Sequence, residues 1–206
     1  MSHASRFSPV VWTLFTTTGL AGGLVAGLLL GMPLGQIANA MIVTAAVTGV
    51  VGAVLGGMQA ISLRRLLSRP LWWIVSTVAG LGAGLSTAVV VVETVGTAIA
   101  GKRPNVFHLS SPMRALSFIA LGLVAGTVVG LAQWLVLRRQ IPRIKHWVLT
   151  TGAGLAIAFS ASSLVVDLST IGLRSAVGGA LFVTLSGILF GLVTSLPLRR
   201  AAITPS

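Results

Sequence analysis

Side chains able to carry chemistry are scarce in this 206-residue sequence, which has two acids, three histidines and no cysteine. The acids, Glu93 and Asp167, each follow a tryptophan (Trp73 and Trp147) by 20 positions, so they occupy equivalent places in two related stretches. Carboxylates inside an apolar segment are candidates for proton relay or cation binding, and a pair of them for acid–base work. Each one, however, precedes an arginine at the start of the next apolar stretch: Arg114 follows Glu93 and Arg174 follows Asp167. A helix of about 20 residues rises about 30 Å, the thickness of a bilayer core, so both acids fall at the boundary opposite the tryptophans. Two outer ion pairs, Glu93 with Arg114 and Asp167 with Arg174, are the expectation. His3, His108 and His146 are scattered and share no ligand spacing, so no metal site is expected. There is no P-loop, no nucleophile elbow and no His-Glu-x-x-His helix. The chain is expected not to be an enzyme, and the residues identify no cofactor.

The residues that recur are of a different kind. Gly56, Gln59, Leu63, Arg64 and Arg65 return at identical spacing as Gly130, Gln133, Leu137, Arg138 and Arg139, and again as Gly191, Thr194, Leu198, Arg199 and Arg200. Trp12, Thr16, Gly19 and Leu20 return as Trp73, Thr77, Gly80 and Leu81, then as Trp147, Thr151, Gly154 and Leu155. Trp12 to Arg64 and Trp147 to Arg199 both span 52 positions, while Trp73 to Arg138 spans 65, so the middle copy carries 13 extra residues. Such self-similarity points to three helical hairpins, residues 10–66, 71–140 and 146–200, in one transmembrane domain with approximate internal threefold symmetry. Tryptophans and arginine doublets at helix ends are expected to act as anchors at the lipid interface, the rings at headgroup level and the guanidinium groups on anionic lipid. Gln59 and Gln133, five residues inside their doublets, need partners on another helix. Gly19, Gly23, Gly27 and Gly31, with Gly122, Gly126 and Gly130, form seams for close helix packing within the chain or for docking a partner helix.

The elements that must carry these residues follow from composition. With 55% hydrophobic and 8% charged residues, far below the roughly 25% charged of a soluble domain, a water-soluble fold is close to excluded. Apolar stretches of bilayer-spanning length occur near Val10 to Leu30, Ile37 to Leu63, Leu71 to Val92, Ala115 to Leu137, Trp147 to Val166 and Ala176 to Leu196. The fold class is all-α integral membrane, with six transmembrane helices and prolines at helix ends. Ten of the 14 basic residues fall on one side of this arrangement, and only Lys102, Arg103, Arg114 and Arg174 on the other. The positive-inside bias then puts both termini in the cytoplasm, in a bacterial inner membrane. The first apolar run, about 21 residues, exceeds a signal-peptide core and is expected to stay as a helix. A net charge of +12 distributed at helix ends, with no polar domain to shape a groove, points to lipid rather than nucleic acid. The extra residues of the middle copy are expected in the loop around Ala100 to Ser111. There Lys102, Arg103, Phe107 and His108 would meet a partner on the outer face.

The run Gly130-Leu131-Ala132-Gln133-Trp134-Leu135-Val136-Leu137-Arg138-Arg139-Gln140, continued to Trp147, resembles a hairpin element of multi-pass bacterial membrane proteins to which no activity is attached. In size and span number the chain is also similar to the substrate-binding subunits of energy-coupling-factor transporters, a resemblance that implies docking through small residues of the first helix. The expected function is a non-enzymatic accessory or assembly subunit of a larger membrane complex. The alternative is a small-solute transporter or its membrane-embedded binding subunit, which would call for broken helices and polar groups near the midplane.

Overall fold

The computed structural model describes residues 7–35, 40–64, 66–101, 109–141, 144, 146–168 and 175–203, of which 40, 41, 99, 100, 168 and 200–203 are described by their backbone alone. The described residues form six helices: α1 (Pro9–Leu34), α2 (Ala40–Leu63), α3 (Pro70–Ala100), α4 (Ser111–Leu137), α5 (Trp147–Leu168) and α6 (Ala176–Ile203). All six are long and apolar enough to cross a membrane. Proline in the first turn starts α1, α3 and α4, where its missing N–H has no helical partner to lose. The Ser8 hydroxyl accepts from the Val11 N–H and caps α1.

Two boundaries differ from the sequence expectation. The extra residues of the middle copy are not all loop: α3 runs on from Val92 to Ala100, adding about two turns. The added residues, Glu93 to Ala100, include only one glycine and no proline, so nothing in them breaks the helix before Gly101. Gly101, at φ +68°, ends it with its N–H on the Thr97 carbonyl, a conformation that favours glycine. Pro197 lies within α6, not at its end, and the helix continues past it to Ile203.

Each helix packs on two neighbours: α1 on α2, α2 on α3, and so on to α6, which returns to α1. Among the described residues the bundle is therefore a closed ring. Lipid tails are as apolar as leucine and give no hydrophobic drive between spans, so close backbone contact must hold such a ring together. Glycine supplies it at five of the six junctions, while between α5 and α6 Gly154 meets the side chains of Val193 and Phe190. Within the first two hairpins, a Cβ on Gly19 would sit 2.9 Å from Leu55 Cα, and one on Gly80 would sit 2.9 Å from Val129 Cα. Between successive hairpins, Gly56 faces Ile74, Gly130 faces Val148 and Gly191 faces Thr13, with Cβ-to-Cα distances of 3.1, 3.0 and 2.9 Å.

Both glycine seams expected from the sequence are spent inside the chain. Gly19, Gly23, Gly27 and Gly31 lie against Leu55, Val51 and Val47 of α2, and Gly122, Gly126 and Gly130 against α5. The docking alternative for these seams is thereby corrected, since their faces are already covered. Large aliphatic residues point the other way: Leu14, Leu29, Val90, Leu116, Leu149 and Leu196 are all more than half exposed, as suits surfaces bathed in hydrocarbon.

The packing generates a graded expectation. At Gly126 a Cβ would meet the Thr151 carbonyl oxygen at 2.6 Å, while at Gly22 and Gly57 nothing lies within 4 Å. Gly126→Ala should lower stability by about 1–3 kcal/mol through overpacking, and Gly22→Ala should be neutral or slightly stabilising as helix propensity improves. Thermal unfolding of both variants in detergent checks the contrast.

Candidate functional site

The densest set of repeated polar and aromatic residues lies at the end of the ring where α1, α3 and α5 begin. Trp12, Trp73 and Trp147, which hold equivalent places in the repeated pattern, meet there. Their ring centroids are 6.4, 6.3 and 5.8 Å apart, and all three pairs are edge-to-face. This arrangement suits the quadrupoles of aromatic rings. Leu63, Leu137 and Leu198, the repeated leucines beside the arginine doublets, pack with them, together with Leu67 and Ile144. The tryptophans are 0%, 0% and 1% exposed. They are therefore not headgroup anchors, as their position at helix ends suggested, because ring closure turns all three onto the axis. Trp72, by contrast, is more than half exposed.

An indole N–H buried this deeply needs an acceptor other than water. Trp12 Nε1 donates to Thr194 Oγ1 at 2.9 Å, closing α1 onto α6. Trp147 Nε1 donates to Gln133 Oε1 at 3.2 Å, and the same amide donates through Nε2 to Thr77 Oγ1 at 3.0 Å. Gln133 thus joins α3, α4 and α5. Gln59 Nε2 donates likewise to Thr16 Oγ1 at 3.3 Å, but Gln59 Oε1 and Trp73 Nε1 are both buried without a partner. The partners sought for Gln59 and Gln133 are thus threonines of the neighbouring odd helix, plus an indole in one case.

At the opposite end, among the described residues, one ion pair crosses between hairpins. Arg114 Nη1 of α4 lies 3.2 Å from Asp167 Oδ1 of α5, with the side chains 15% and 14% exposed. This corrects the expected Glu93–Arg114 pair, while the expected Asp167–Arg174 pair falls on a residue outside the described ones. Arg114 joins Asp167 instead of Glu93, Glu93 is exposed on α3, and Arg174 lies outside the described residues. The cause is packing: Arg114, Phe118, Gly122, Gly126 and Gly130 recur every four residues along one face of α4, and the glycines press that face onto α5. Arg114 Nε and Asp167 Oδ2 remain buried without partners, so the pair is only partly satisfied. Below it, Phe118, Phe159 and Phe182 of α4, α5 and α6 cluster with centroids 5.2–6.4 Å apart.

The arginine anchors fare differently from the tryptophans. Arg64, Arg138, Arg139 and Arg199 are exposed on the rim around the tryptophan end, and Arg138 stacks over the Trp134 ring at 5.0 Å. Arg65 and the side chain of Arg200 lie outside the described residues, as do Lys102, Arg103, Phe107 and His108 of the expected partner loop. Comparison with protein-family models, with curated proteins and with solved structures finds no match.

Two outcomes follow from this geometry. Gln133→Leu orphans the Trp147 N–H and removes the donor to Thr77, whose hydroxyl keeps its bond to the Trp73 carbonyl, whereas Gln59→Leu removes only the donor to Thr16. The first should lower stability by about 1–2 kcal/mol more than the second in detergent unfolding. Arg114→Leu, which leaves a mostly buried carboxylate unpaired, should cost about 3 kcal/mol, and the double variant with Asp167→Leu should recover most of it. A double-mutant cycle measures the coupling.

Proposed function

We propose that this chain is a non-enzymatic integral membrane subunit that works by docking to a larger membrane complex. Three equivalent hairpins would form its single domain, with approximate threefold symmetry about the membrane normal. The observation that carries this reading is where the polar side chains go. The buried glutamines, and the threonines and tryptophans of the inner cluster, are turned toward one another, and the axis at the tryptophan end is filled by indole rings and leucines. A solute path would call for broken helices and free polar groups at the midplane, so this arrangement favours a scaffold over a carrier.

The exposed basic rim of Arg64, Arg138, Arg139 and Arg199 is the surface offered to others. By the charge bias of the sequence this end faces the cytoplasm of a bacterial inner membrane, with both termini on that side. The rim would hold anionic headgroups and acidic residues of a partner protein.

The test is purification in mild detergent with identification of co-purifying proteins. A defined set should be recovered with the wild type and lost when Arg64, Arg138 and Arg199 are changed together to alanine, with the bundle still monodisperse. Proteoliposomes holding the protein should shrink in glycerol, urea or potassium chloride at the rate of empty vesicles. Faster solute entry would replace this reading with transport. A reporter fused after Ser206 that reads as external would overturn the orientation.

A further inference from the structure

One junction of the ring is not closed along its length. At the inner end, α2 and α3 meet as the other hairpins do: Gly56 lies against Ile74 and Thr77, and Gly52 against Val78. One turn further on, the repeat pattern changes. The place held by Gly122 in α4, whose would-be Cβ lies 2.7 Å from Ala156 Cα, is held in α2 by Thr48, and the place of Ala156 by Gly82. The glycine contact that closes α4 onto α5 at that level is therefore absent between α2 and α3. Gly49 and Gly82 have nothing within 4 Å of a would-be Cβ, and a cleft of about 720 Å³ opens between them, bounded also by Thr48, Ser86, Val78 and Val89. The Thr48 hydroxyl is spent on the Thr44 and Ala45 carbonyls of its own helix, so the lining is largely apolar.

The dimensions of the cleft limit what fits. From Val78 to Val89 is about 16 Å along α3, roughly one leaflet of a 30 Å core. A flexible hydrocarbon chain of one leaflet's length matches both that span and the apolar lining. Beyond the Val89 end of the cleft stands an acid. Glu93 stands three turns beyond Gly82 and about one turn beyond Val89 on the same face of α3, exposed and, among the described residues, outside any ion pair. An acid at the end of a hydrocarbon-filled groove selects a headgroup with a positive, hydrogen-donating end.

We infer that the cleft between α2 and α3 is a lateral lipid site. It takes the acyl chain of an aminophospholipid from the leaflet at the Glu93 end, with the ammonium group on the Glu93 carboxylate. The inference rests on the bilayer placement of the helices and not on the docking role. The site stabilises its occupant by burying chain methylenes between two helices and by one charge-assisted hydrogen bond at the mouth.

The experiment uses the full chain in nanodiscs made of phosphatidylethanolamine and phosphatidylglycerol in equal parts. Retained lipid is read by native mass spectrometry after transfer to detergent. The wild type should keep phosphatidylethanolamine over phosphatidylglycerol by about tenfold, the worth of one charge-assisted hydrogen bond. Glu93→Gln should erase that preference while still retaining lipid. Gly82→Leu, which fills open space, should remove the retained lipid, and Gly22→Leu, equally unhindered but on α1, should not. Unchanged retention in Gly82→Leu would overturn the site, and equal retention of the two lipids by the wild type would overturn the role of Glu93. Loss of a co-purifying protein in Gly82→Leu, with lipid retention unchanged, would make the cleft a docking groove. Failure of the docking role reads out separately, in the purification of the arginine variants.

Discussion

Close backbone approach between neighbouring helices is the constraint from which the rest of this structure follows. In a medium that gives no hydrophobic drive for association, a ring of six spans holds only if each junction gains enough dispersion contact, and contact grows as helices approach. Gly52, Gly126 and Gly187 each lie against the backbone of the next odd helix, at Val78, Gly152 and Thr17. The last of these contacts joins α6 to α1 and makes the arrangement a ring instead of an open array. Where glycine is present on both sides, as at Gly126 and Gly152, the helices come closest, and that junction also carries the Arg114–Asp167 pair.

Ring closure creates a polar problem that the tryptophan end solves for two of its three indoles, Trp12 and Trp147. Six helices around one axis leave a space that side chains must fill, and three edge-to-face indoles fill it. Indoles bring N–H donors into a place without water, where each unpaired group carries a desolvation penalty. Glutamine is suited to the answer because its amide accepts at one atom and donates at the other. Gln133 therefore takes the N–H of the following tryptophan and hands a hydrogen bond to the preceding threonine, linking three helices. Thr194 accepts from Trp12 with its single hydroxyl, which itself donates to the Phe190 carbonyl, and that suffices because the contact is only between two helices.

Much of this was legible in the sequence, and the misses have a common origin. Six spans, the equivalence of the tryptophans and the need of Gln59 and Gln133 for interhelical partners follow from hydropathy and spacing, which are local properties. Whether Trp12 faces lipid or axis is not local. An aromatic ring one turn into a span fits either place, and only the closing of α6 on α1 decides between them. The pairing of Arg114 failed for the same reason: chain order favours Glu93 across the hairpin loop, while packing favours Asp167 on the next hairpin. A signal for it was present, because Arg114 continues the four-residue spacing of Gly122, Gly126 and Gly130, and a residue in line with a packing seam meets what the seam packs against. The longer α3 went unseen because the 13 extra residues were assigned to a loop, although those before Gly101 contain nothing that stops a helix.

A repeat supplies a default for each position, so departures from it carry more information than the repeat itself. Thr194 stands where two glutamines stand, at no loss to the indole it serves. Met32 stands where Glu93 and Asp167 stand, so the first hairpin has no charge at its far end. The two acids then diverge in use: Asp167 is drawn into α4 by a glycine-tight junction, while the junction beside Glu93 has Thr48 where α4 has Gly122. Among the described residues, the acid beyond the cleft between α2 and α3 then lacks the arginine that Asp167 finds in α4, and the junction beside it lacks the glycine contact that closes α4 onto α5.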